Sequence, residues 1–94
     1  MISFYDIIIA MNSKQKRTLS AIYKDPVSSS LAWKDIESLF VSLDIDVIEG
    51  RGSRVRFHKS DIVASFHRPH PKKEAKPYQV RHARAFLKQL GVEP

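Results

Sequence analysis

At Asp44 the spacing of apolar residues switches from a helical to a strand-like period, and few small folds accommodate that switch. Upstream, "LAWKDIESLFVSL" sets Trp33, Ile36, Leu39, Phe40 and Leu43 three and four residues apart. This is the pattern of an amphipathic helix with a wide buried face. Downstream, "IDVIEG" is short and β-branched, and Gly52 in "RGS" supplies a turn. "RVRFH" then alternates Val55 and Phe57 against Arg54, Arg56 and His58. After a tight turn at "KSD", "IVASFH" repeats the alternation. With Ile62, Ala64 and Phe66 on the core side, His67 shares the outer face with Arg54, Arg56 and His58.

Two more helices complete the pattern. "SKQKRTLSAIYK" predicts a short helix over 13–24, with Ser13 as N-cap and a partial stripe of Thr18, Leu19, Ile22 and Tyr23. Asp25-Pro26 ends it, because the residue before proline is pushed out of the helical region. "PYQVRHARAFLKQLG" predicts a closing helix with Pro77 in its first turn and Gly91 as its stop. Val80, Ala83, Leu87 and Leu90 form its seam, with Phe86 beside them. "RPHPKKEAK" between strand and helix is irregular, since Pro69 and Pro71 lack backbone donors. The order helix, helix, three strands, helix predicts an α+β two-layer domain, a three-stranded antiparallel meander with helices packed on one face.

At 94 residues and 43% hydrophobic, the chain reads as one small folded domain over 11–94. Residues 1–10, "MISFYDIIIA", read either as a dispensable tail ahead of Met11 or as an added strand or partner contact. They are interrupted by Asp6 and too short to span a bilayer, which takes about 20 apolar residues. The absence of cysteine removes disulfides, thiolate zinc sites and cysteine nucleophiles, and fits a reducing cytoplasm.

Charge points to a partner. The net +6 is concentrated between His67 and Arg84, where six cations face the single acid Glu74. Three of the four histidines lie there too. Such a balance suits a polyanion, and nucleic acid is the commonest. The outer strand face and the "HRPHPKK" loop together gather Arg54, Arg56, His58, His67, Arg68, His70, Lys72 and Lys73. Cations bind phosphates, and imidazoles titrate near neutrality, so they transfer protons. Metal-free RNA cleavage needs a base for the 2′-hydroxyl, an acid for the leaving oxygen and cations for the charged transition state. The residues alone leave three readings open: a solvated basic face, RNA binding without chemistry, and a nuclease.

A metal site is the weaker reading. His67 and His70 are three residues apart in an extended stretch, roughly 10 Å along the backbone and directed to opposite faces. Only Glu74 lies nearby, whereas a catalytic zinc wants three protein ligands. No cofactor or nucleotide fingerprint occurs. Trp33 reads as core before base-stacking residue, and His82 as surface or packing. Tyr78 is open between stacking on a base and covering the sheet edge.

"WKDIESLF", "EGRGSRVRF", "FHRPHPKKE" and "FLKQLGV", in that order from Trp33 to Val92, resemble the HicA family of toxins from type II toxin–antitoxin systems. The resemblance implies a fold like that of double-stranded-RNA-binding domains. It also implies an endoribonuclease that cleaves mRNA and arrests translation, neutralised by a HicB-type antitoxin. Many members carry the active histidine in a Gly-Ser-His or Gly-Ser-x-His stretch at the start of the second strand. Here Gly52-Ser53 precede Arg54, Val55 and Arg56. The base has therefore moved to His67, His70 or His58, or RNA is bound and poorly cleaved. His70-Pro71 matches the family's His-Pro segment. The site expected is His70, His67 and Arg54 for catalysis, with Arg56, His58, Arg68, Lys72, Lys73, Lys76 and Arg81 for RNA.

Overall fold

The computed structural model describes residues 11–94. The reading of residues 1–10 falls outside them. The elements run α1 (Ser13–Tyr23), α2 (Trp33–Ser42), β1 (Asp46–Glu49), β2 (Arg54–Lys59), β3 (Ile62–His67) and α3 (Pro77–Gln89). The strands form one antiparallel sheet in the order β1-β2-β3. This is the expected α+β domain, and it is consistent with the dsRBD-like fold.

The helices cap themselves more fully than the sequence suggests. The α1 N-cap is Asn12, one residue before the expected Ser13. Asn12 Oδ1 accepts from the Gln15 N–H at 2.7 Å, and Gln15 Oε1 accepts from the Asn12 N–H at 3.0 Å. That reciprocal box satisfies two otherwise orphaned donors. α2 ends where the sequence period changes. Asp44 takes φ 59°, and its N–H reaches the Val41 carbonyl while that of Ile45 reaches Phe40. This is a Schellman motif in which Ile45 folds back on Phe40. α3 closes the same way through Gly91 at φ 76°.

Phe40 is the hub of the core. Fully buried on α2, it meets Phe57 of the sheet at 4.8 Å and Phe86 of α3 at 5.5 Å between ring centroids. Both pairs are edge-to-face, the favoured aromatic geometry. Truncating such a residue to alanine costs about 3–5 kcal/mol. Trp33 is buried against Phe57 and Phe66, which makes it core and removes it as a base-stacking residue. Phe86 belongs to the buried seam, whereas Leu90 is only half-buried. His82 stacks on Phe66 at 4.4 Å and is a packing histidine.

α1 packs against both α2 and α3. Arg84 of α3 holds its C-terminal end: Nε donates to the Ile22 carbonyl at 2.8 Å, and a terminal nitrogen donates to Lys24 at 2.9 Å. Tyr23 donates its hydroxyl to the Val92 carbonyl at 2.6 Å. The helix layer is thereby stitched to the end of the chain.

Candidate nucleic-acid interface

The sheet's outer face presents three rows. Arg54 pairs with His67, Ile48 and Ser65 flank Arg56, and Asp46 and Val63 flank His58. The Arg68 N–H bonds the Ser53 carbonyl at 2.8 Å. Antiparallel pairs alternate in kind, so the next pair, Arg54–His67, is the non-hydrogen-bonded type. In that type the facing Cα atoms are only about 4.5 Å apart and the side chains closest. Both residues are exposed.

Around this pair lies an open cleft of about 530 Å³, whose polar lining is Arg51, Arg54, Arg56, Ser65 and His67. The turn before β2 shapes its rim. Gly52 takes φ +58°, and a Cβ on Gly50 would stand 3.0 Å from the Cβ of Arg54. Glycine at position 50 therefore leaves room for the Arg54 side chain. Arg51 and Ser65 escaped the sequence reading. The signals for them were present: Ser65 falls on the outer-face alternation, and Arg51 sits inside the turn that faces Arg54.

His70 lies elsewhere. With Lys72 and Lys76 it lines a second depression of about 450 Å³, walled by Pro69, Pro71 and Pro77. Two backbone hydrogen bonds pin this loop to the segment ahead of α2: Trp33 N–H to the Lys73 carbonyl at 2.9 Å, and Ala75 N–H to Leu31 at 2.8 Å. Lys73 is exposed beside it, and Arg81 is exposed on α3. The single basic surface expected from sequence is therefore two depressions with no lining residue in common. His58 stands in the row farthest from His67 along the ladder, its Nδ1 3.9 Å from the Asp46 carboxylate.

Arg68 corrects the sequence reading. One residue past His67, it points to the opposite, helix-bearing side of the sheet. There Nε donates to Glu37 of α2 at 2.6 Å, and the two terminal nitrogens donate to Glu49 at 2.6 and 2.9 Å. The bond from Arg68 holds the Glu49 carboxyl below the usual glutamate range, and the bonds to Glu49 and Glu37 raise the guanidinium further above its already high value. Glu37 also accepts from the Trp33 indole N–H. Arg68 is thus a strut between α2 and the end of β1, not a cation held out to solvent.

Gln79 was missed altogether. It is buried, and Nε2 donates to the His67 carbonyl at 2.7 Å while Oε1 accepts from the Lys76 N–H at 2.9 Å. Its third position in the helix, where a glutamine can reach back to the cap, was the available signal. Tyr78, open in the sequence, is 57% exposed at the start of α3. Among the described residues no group of three His, Asp or Glu side chains comes together as a metal ligand set, and no helix is long and apolar enough to cross a membrane.

The family profile described as HicA toxin of bacterial toxin-antitoxin matches residues 33–92, from α2 to the end of the α3 cap. The chain belongs to the HicA toxin family. Membership makes it the toxin component of a toxin–antitoxin system, with an antitoxin as its partner. α1 lies ahead of the matched segment, so the family region comprises the sheet, α2, the proline loop and α3. No curated protein and no solved structure matches the chain.

Proposed function

We propose that this HicA-family toxin is an endoribonuclease that cleaves mRNA in the sheet cleft, without a metal ion, in the cytoplasm, and that a HicB-type antitoxin masks it. The observation that supports this most is the Arg54–His67 pair. In many members of the family the active histidine follows Gly-Ser directly or one residue further on, where this chain has Arg54 and Val55. An imidazole, His67, stands directly across the ladder from Arg54, on the same face and in the same row. Two of the three groups metal-free RNA cleavage needs, a base and cations, are neighbours in one cleft, where Arg51 and Arg56 join the pair.

In the proposed reaction neutral His67 removes the proton from a ribose 2′-hydroxyl. The 2′-oxygen bonds to the adjacent phosphorus as the bond to the 5′-oxygen breaks, leaving a 2′,3′-cyclic phosphate and a 5′-hydroxyl end. The leaving oxygen takes its proton from solvent water in the open cleft, because His70, a catalytic candidate in the sequence, lines the second depression instead. Arg54 stabilises the charge that develops on the phosphate, usually the larger catalytic contribution. Lys72, Lys73, Lys76 and Arg81 hold the strand on either side.

RNA binding without chemistry is the second reading, and the absence of a histidine at both Arg54 and Val55 is the observation that favours it. One experiment separates them: purified chain incubated with mRNA, with and without EDTA. Fragments in both conditions, lost in His67→Ala, are expected. Intact RNA, bound with a steep salt dependence, would establish the second reading.

A further inference from the structure

The proline-walled depression beside His70 has a composition that phosphate binding does not explain. Phosphate sites are built from cations and free N–H groups, yet three prolines, which carry no N–H, form much of this wall. Ala75 of its lining is buried. Lys72, Lys76, Ser29 and Glu74, all exposed, complete its lining. Glu74 is the single acid of the basic stretch from His67 to Arg84. Among the described residues its carboxylate makes no ion pair. A carboxylate among the lining residues repels phosphate. It accepts well, however, from an amino group.

We propose that this depression is a nucleobase subsite, which takes one unpaired base of the RNA and reads its exocyclic amine through Glu74. Flat apolar walls and an imidazole suit the face of a base, since RNA readers stack splayed bases on side chains that include histidine. Lys72 and Lys76 suit the phosphates on either side. The subsite follows the cleft along the chain, because β3 ends at His67 and His70 lies three residues on. It is also already formed, since the hydrogen bonds from Trp33 and Ala75 fix the loop. A base that enters must be unpaired, so the substrate is single-stranded at this point, and cytosine, adenine and guanine are preferred to uracil. The inference rests on the endoribonuclease reading for its substrate class but not for its test.

The test is equilibrium binding of 2′-O-methyl homopolymers of U, C, A and G, which lack the 2′-hydroxyl and stay intact. The three amine-bearing polymers are expected to bind about fivefold or more tighter than U, as one base-edge contact provides. Glu74→Ala, an exposed position, is expected to bring that ratio to within about twofold. Lys72→Ala is expected to weaken all four alike and reduce the salt slope by about one. Equal affinity for all four polymers, or a preference that Glu74→Ala leaves intact, overturns the subsite while RNA binding stands. Failure of every polymer to bind at low salt overturns the RNA-directed function itself.

Discussion

Arg54 and His67 face each other across the β2–β3 ladder, at the end of the hairpin remote from its turn. Because they share one row and one face, exchanging them keeps both groups in the cleft. His67→Ala is expected to reduce RNA cleavage by about 10²–10⁴-fold, the range for a lost proton-transfer residue. The exchange, Arg54→His with His67→Arg, is expected to retain activity to within about tenfold, while His67→Arg alone stays inactive. Cleavage of an end-labelled RNA measures all three, and an exchange variant as dead as His67→Arg would refute the pairing.

Arg68 bridges Glu37 and Glu49 on the other side of the sheet. The lowered Glu49 pKa sets the sign of its pH dependence. The unfolded chain takes up that proton first, so the stabilisation is present above the ordinary glutamate range and is lost as the pH falls through the folded value. Melting temperature should drop on acidification below about pH 4.5, and Glu49→Gln should flatten that drop. Arg68→Ala is expected to lower melting by several degrees at neutral pH and to leave the salt slope of RNA binding unchanged. A reduced slope would return Arg68 to the phosphate-binding set.

Arg84 closes the end of α1 from α3, with its side chain largely buried and its guanidinium also 3.2 Å from the Asp25 carboxylate. Arg84→Met keeps much of the aliphatic bulk and removes the donors. A loss of about 1–3 kcal/mol is expected, the cost of leaving acceptors unpaired. Hydrogen exchange locates it: amides of α1 should exchange faster, while those of β2 and β3 hold.

The hairpin turn carries two non-glycine residues in left-handed conformation, Ser60 at φ 52° and Asp61 at φ 65°. Positive φ at both positions defines a type I′ turn, for which Asn-Gly is the favoured pair. Ser60→Asn with Asp61→Gly should raise stability by roughly 0.5–1 kcal/mol, seen as a higher denaturant midpoint. Cleavage should not change, because the turn lies six residues of strand away from Arg54 and His67.

The outer-face row of Arg54, Arg56, His58 and His67 was legible because alternation along a strand is a local property. So was α2, whose apolar spacing holds over three turns. What was illegible came from contacts distant in sequence. Arg68 reads as one more cation of a basic run until Glu37 and Glu49, 31 and 19 residues away, are seen to hold it. Gln79 drew no reading from the sequence, because its partner, the His67 carbonyl, lies 12 residues away. The bridge between Ala32 and Glu74, which ties the proline loop to the segment ahead of α2, is likewise announced by no local pattern.

That bridge also bears on how fast and with what heat a ligand arrives. A proline-rich segment pinned at Lys73 and Ala75 has little freedom left to lose. Association should then proceed in a single kinetic phase governed by ionic strength, with no slower rearrangement behind it, and the entropic penalty of ordering the loop will already have been met during folding.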